Sequence, residues 1–249
     1  MYDVILYIGG IFMKQNELTL EPMSFGAMLK KSAGEIKNVR SLVTCAMLIA
    51  LCVALSLLKI PVLGGMLHIK FTYLIYALSG LLYGPVMTAI LGIGDQLIAE
   101  TLLAGNAPLL GFIFSFALRG FFFGLVFYYP NFARYSEKFG FLRISFCKVA
   151  DTAINNIVIN TALLYHYGWI TADSVFVAIL ARVGKNLVLL PFEILLLAIF
   201  LRAMMPIMTK LKLLPKMGEL KITKLQVAFA IALALAGLAA VVIYGIVKM

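Results

Sequence analysis

Apolar segments follow one another along almost the whole chain, and the gaps between them are too short to hold a second folded unit. Seven are legible: 40–58, 71–83, 85–104, 109–129, 144–167, 173–204 and 225–247. A bilayer core of about 30 Å calls for roughly 20 apolar residues of helix. Charged residues make up 13% of the 249, against about 25% in soluble domains. The chain reads as an all-α polytopic membrane protein with one membrane domain.

Net charge is +10, from 21 Lys and Arg against 11 Asp and Glu. In a soluble protein that excess would suggest nucleic acid. Here the cations lie between apolar runs, where they meet anionic headgroups and set orientation. Lys30, Lys31, Lys37 and Arg40 precede the first span; Arg134, Lys138 and Arg143 separate the fourth from the fifth; Lys210, Lys212, Lys216, Lys221 and Lys224 follow the sixth. That bias places the N-terminus in the cytoplasm of a multi-pass protein. The expected organisation is a cytoplasmic or interfacial segment over 1–38, a six-helix membrane domain over 39–204, a basic linker over 205–224 and an extra transmembrane helix over 225–249. "MYDVILYIGGIFMKQN" lacks the basic start of a cleavable signal. Ser32 and Glu35 have capping-box spacing and predict a short surface helix running into the first span. Three cysteines without paired spacing and two histidines call for no disulfide framework, metal or cofactor.

The second segment, about 20 Å of helix, is too short to cross alone. The preceding "GGMLHIK" is expected to dip into the membrane as a lid or wall, since irregular backbone survives there only when buried or lining a cavity.

The sixth segment raises the functional question. "ILARVGKNLVLLPFEILL" carries Arg182, Lys185, Asn186 and Glu193 at depths where an ion costs roughly 2.5–3.5 kcal/mol. On a helical wheel Arg182, Asn186 and Glu193 fall within about 40° of one another, with Lys185 to one side. Depth counting sets Asp95 level with Arg119, and Glu100 level with Arg182. These four are expected to pair, either as structural glue or at a site. In the fifth segment Thr152, Asn156 and Asn160 make a polar stripe, read as interhelical glue or as amides that recognise a heterocycle. Ala46, Ala50 and Ala54 form a small-residue ladder that lets a helix approach closely, inside the bundle or from a partner.

These residues resemble an S component of the energy-coupling factor (ECF) vitamin transporters, the folate-specific group in particular. "ARVGKNLVLLPFEILLL" is similar to that group's Arg-x-x-Lys-Asn-Leu helix. "FTYLIYALSGLLYGPVMTAILGIGDQLIAETLLAG" is similar to its second and third helices, and "INTALLYHYG" to its fifth. The resemblance covers about 40–202. It implies a six-helix capture protein that binds vitamin from outside and joins a transmembrane coupling subunit, through the alanine ladder, and two ATPases. The chain itself is then no enzyme, and it lacks a phosphate-binding loop of its own. The outer loop "AGNAPLLGF" departs from the group's aromatic loop and leaves Phe112 as the nearest candidate clamp. The seventh segment is extra to a six-helix plan.

The chemistry suits a folate: Arg holds carboxylates, Lys adds a point charge, and Asn and Asp complement a pterin edge. The substrate-binding set is Arg182, Lys185, Asn186, Asn160, Asn156, Asp95, Glu100 and Phe112. Another anionic vitamin such as pantothenate satisfies the cations equally. From other classes stand an intramembrane hydrolase using Asp95 and Glu100, which lie about 140° apart on an ideal helix, and a structural subunit without ligand.

Overall fold

A computed structural model of the chain describes residues 23–58, 60–62, 67–103, 105, 109–170, 174–215, 220, 223, 226–228, 231–232 and 235. The N-terminal apolar run and most of the seventh segment lie outside the described residues.

The order of elements is α1 (Phe25–Gly34), a 3-10 turn (Glu35–Lys37), α2 (Val39–Leu57), a ribbon of β1 (Ile60–Val62) and β2 (Leu67–Ile69), α3 (Thr72–Ile98), a wide π-type turn (Ala99–Leu103), α4 (Leu110–Phe127), α5 (Tyr129–Ala150), a longer π-type stretch (Asp151–Ile159), α6 (Asn160–His166) and α7 (Val175–Lys210). Among the described residues, four helices are long and apolar enough to cross a membrane: Val39–Leu57, Thr72–Leu103, Leu110–Phe127 and Leu189–Lys210.

The second of these is two crossings. Gly84 has φ 78° and ψ −167° and is followed by Pro85. The positive φ suits a residue without Cβ, and proline is at home at the start of a helix. In a straight helix Ser79 and Thr88 would lie about 13 Å apart along the axis. Their hydroxyls are 3.1 Å apart. Tyr76 Oη and Asp95 Oδ2, 19 residues apart, are joined at 2.9 Å. The chain therefore folds back at Gly84, and residues 72–83 and 85–98 form antiparallel arms. Counting both arms, α2, α4, the 129–166 stretch and α7, the described residues supply the six expected crossings.

The arms are the centre of the bundle, with Tyr76, Leu81, Met87 and Leu91 fully buried. Gly92 and Gly120 let α4 lie against them: a Cβ on Gly92 would fall 2.3 Å from the Phe116 carbonyl oxygen, and one on Gly120 2.1 Å from that of Thr88. α2 packs outside, its Cys45 and Cys52 thiols facing the Met87 and Thr72 carbonyls at 3.9 Å.

Three local expectations change. α1 begins earlier than the capping-box spacing implied, with Ser24 accepting from the Ala27 N–H at 3.3 Å. Ser32 instead sits buried over the fold-back. It donates to the Tyr83 carbonyl at 2.7 Å and accepts from the Val86 N–H at 3.0 Å, so a neighbouring helix satisfies the backbone groups that the break exposes. The basic stretch expected as a loop between the fourth and fifth segments is helical, because α5 starts at Tyr129 with Pro130 in its first turn. The linker expected at 205–224 is partly inside the domain: α7 continues to Lys210, and Leu214 and Leu220 are buried.

The described end of "GGMLHIK", Leu67–Ile69, is a strand rather than irregular backbone. β1 and β2 pair antiparallel, Ile60 opposite Ile69, Pro61 opposite His68 and Val62 opposite Leu67. Strand pairing satisfies backbone groups that a bare loop would leave open.

Candidate functional site

Two adjoining cavities lie between the helices, and Lys70, Thr72, Phe116 and Arg119 form their common wall. The first, of about 350 Å³, is completed by Tyr73, Lys148, Asn156, Asn160, Arg182, Asn186, Leu189 and Glu193. The second, of about 390 Å³, is completed by Ser56, Leu57, Asp95, Gln96, Ala99, Glu100 and Leu103. One is predominantly basic and rich in amides; the other holds two carboxylates.

Helical periodicity on α7 puts Arg182, Asn186 and Glu193 on one face, and all three line the basic cavity. The Asn186 amide donates to the Arg182 carbonyl at 2.8 Å, and the Asn156 amide reaches Asn186 Oδ1 at 3.4 Å. Arg182 is half-buried and donates to the Thr161 hydroxyl at 3.3 Å; it makes no ion pair among the described residues. The Lys185 side chain lies outside the described structure. Asn156 reaches the cavity from the π-type stretch and Asn160 from the first residue of α6, where its N–H bonds the Asn155 carbonyl five residues back. The wider turns of the π-type stretch alter the expected i, i+4 stripe, and Thr152 lies buried outside the described lining. Asn160 Oδ1 is buried with no hydrogen-bond partner among the described residues.

The expected pairing of Asp95 with Arg119 does not form. Arg119 Nε bonds Asp151 Oδ1 at 2.9 Å, and Asp95 accepts from Tyr76 instead. Equal depth fixes height but not azimuth, and α4 turns Arg119 toward the 151–159 stretch. Glu100 likewise does not meet Arg182: it accepts from the Gln96 amide at 3.0 Å and lines the other cavity. The wide turn at Ala99–Leu103 draws Glu100 back toward the face of Asp95, closing part of the 140° that an ideal helix would leave.

Lys148 and Asp151 were missed. Lys148 Nζ lies 3.1 Å from Glu193 and 3.6 Å from Asp151, and 4.1 Å from the centre of the Tyr73 ring. With Arg119 they make a buried network in which each charge has an opposite neighbour, as burial requires. Their i, i+3 spacing within an apolar segment was the available signal. Phe112 lies apart from both cavities. It is buried, with its ring stacked on Tyr167 and Trp169 at 5.8 and 5.5 Å between centres. Ala46, Ala50 and Ala54 are exposed on α2, beside exposed Val43, Met47 and Leu51.

A polytopic helical bundle that encloses an amide- and cation-lined cavity defines a membrane protein built to hold a polar solute. Residues 36–205 match the family model "ECF-type riboflavin transporter, S component". The chain belongs to that family of multi-pass transporter subunits. It is 29% identical over 184 residues to the folate transporter FolT of Streptococcus mutans serotype c (strain ATCC 700610 / UA159), covering 72% of this chain and 92% of that protein. Its fold is similar to the crystal structure of FolT bound with folic acid, with TM-score 0.52 and 19% identity, over 64% of this chain and 91% of that one.

Proposed function

We propose that the chain is the substrate-capture subunit of an ATP-driven importer in a prokaryotic plasma membrane, with folate or a close derivative as its vitamin. It binds from outside, with its N-terminus in the cytoplasm, and works with a separate coupling subunit and two ATPases. The exposed Ala46–Ala50–Ala54 ladder supplies the face for the coupling subunit.

The observation that carries the substrate is Arg182. It is a half-buried cation whose described partner is a neutral hydroxyl, in a cavity that also holds Lys148, Arg119 and Lys70. Such a group is tolerable in a bilayer when an anion completes it. Folate brings carboxylates; riboflavin, the vitamin in the family's description, is neutral and leaves that cation uncompensated. The folate transporter among the relatives supports the same choice. A hydrolase finds little support: Asp95 and Glu100 are held by Tyr76 and Gln96, and no histidine or cysteine is among the described lining of either cavity.

The test is thermal stabilisation of the purified protein by folate, riboflavin and pantothenate in parallel. A ligand at a thousandfold excess over its Kd stabilises by about 4 kcal/mol. Folate should do so and the other two should not. Stabilisation by riboflavin or pantothenate alone would overturn the substrate, and none by any of the three would leave the structural-subunit reading.

A further inference from the structure

We propose that the bundle holds one anionic phospholipid at the end that the proposed orientation puts in the cytoplasm, its phosphate gripped where the start of α2 meets the end of α7. The inference goes beyond the folate reading and stands whichever vitamin is bound.

Arg40 and Leu211 are 171 residues apart, and the Arg40 guanidinium donates to the Leu211 carbonyl at 3.2 Å. That bond brings Lys37, one turn before Arg40, to the same end as Lys210 and Lys212, which flank Leu211. All four cations are exposed, and none makes an ion pair among the described residues. Glu35, the nearest acid in sequence, is taken by the Ser41 hydroxyl. A guanidinium has five N–H donors, and the bond to Leu211 uses one. The rest of the fork suits a phosphate.

The turn that ends α7 holds a cation in place there. Lys212 has φ 56°, the one positive φ outside glycine among the described residues. Its N–H bonds the Thr209 carbonyl at 3.1 Å, and the Leu213 N–H bonds the Met208 carbonyl at 3.0 Å. Helices closed this way usually carry glycine at that position, since a Cβ strains the left-handed backbone. A cation near a helix C-terminus also meets the dipole, but Lys210 already supplies one in the last turn. Buried Leu214 anchors the chain just beyond. The strained lysine is therefore fixed one residue from the Arg40 contact rather than carried on a loose tail.

The neighbouring surface favours a lipid over a soluble anion. Val39, Leu42 and Val43 on α2, and Ile207 and Leu211 at the end of α7, are exposed. Cations bordering exposed apolar side chains match the boundary between headgroup and acyl chain. A free phosphate would use the cations and leave that apolar surface bare.

The experiment is native mass spectrometry of the purified full chain in neutral detergent, titrated with phosphatidylglycerol or phosphatidylcholine, with inorganic phosphate as competitor. The wild type should hold one phosphatidylglycerol at least tenfold more tightly than phosphatidylcholine, and inorganic phosphate should not displace it. Arg40→Gln should weaken phosphatidylglycerol at least tenfold, and Lys30→Gln, which removes a cation from α1, less than twofold. Lys212→Gly should weaken it at least threefold while the melting temperature without lipid stays level or rises, a split that a purely helix-ending role would not give. If Arg40→Gln loses its thermal transition, Lys210→Gln carries its arm, with at least a threefold loss. Equal losses in the α1 and α2 variants would reduce the site to diffuse attraction and overturn the proposal. Displacement by inorganic phosphate would assign the cations to a soluble anion, and unchanged lipid affinity with lost coupling-subunit assembly in Arg40→Gln would assign them to an acidic protein; either result overturns it.

Discussion

Between α3 and α4, backbone lies on backbone; between the 151–159 stretch and α7, side chains face open volume. On the first side a Cβ at Gly120 has nowhere to go, 2.1 Å from the Thr88 oxygen. On the second, amides and ions line about 350 Å³ of space, and Asn160 Oδ1 is left without a partner among the described residues. The first side follows the rules of membrane packing, with small residues at close contacts. The second departs from them through intramembrane ions and widened helical turns, features found at functional sites. The tight seam gives the open side a rigid wall, and the open side holds an Arg182 guanidinium with no ion pair among the described residues.

Substitutions on the two sides should therefore fail differently. Gly120→Leu should give the largest effect, roughly 3 kcal/mol or more from overpacking against backbone. The measurement is recovery of monodisperse protein in detergent, and a well-behaved variant would break the account of the seam. Ala50→Trp, on an exposed face belonging to neither side, should abolish assembly with the coupling subunit yet leave folate affinity unchanged. Loss of binding with assembly retained would assign the ladder to internal packing. Arg182→Ala and Lys185→Ala should each weaken folate more than tenfold, about 1.4 kcal/mol or more, with the melting temperature of the unliganded protein nearly unchanged. Unchanged affinity in both would remove α7 from the site. The smallest effect is expected from truncation after Thr223, which keeps the buried Leu214 and Leu220. Folate affinity should stay within threefold, under about 0.7 kcal/mol, and loss of binding by a folded truncation would place the seventh segment in the site.

What was legible followed from local rules. Hydropathy located the six described crossings, and the gap between segments 71–83 and 85–104 fell at the Gly84 fold-back, because glycine and the following proline act on their own backbone. The wheel of α7 placed Arg182, Asn186 and Glu193 together because α7 keeps an α-helical period there. The ion partners were not legible, since whether Arg119 meets Asp95 or Asp151 depends on how α4 is rotated in the bundle. The widened turns carry no sequence mark of their own, so the stripe through Thr152 and the angle between Asp95 and Glu100 were both read on the wrong period. The seam could have been anticipated: Gly80 with Gly84, and Gly120 with Gly124, repeat at four-residue spacing on the two elements that pack most closely.

The fold-back at Gly84 also bears on how the chain enters the bilayer during synthesis. The arm over 72–83 measures only about 18 Å, less than an insertion machinery needs to retain a lone helix. It becomes stable in lipid once the following arm returns beside it and joins Tyr76 to Asp95 and Ser79 to Thr88. The two arms are thus expected to insert as one unit, the first held in lipid only when the second has joined it. A lesion at Gly84 would be felt first as a failure of biogenesis, before any ligand is met.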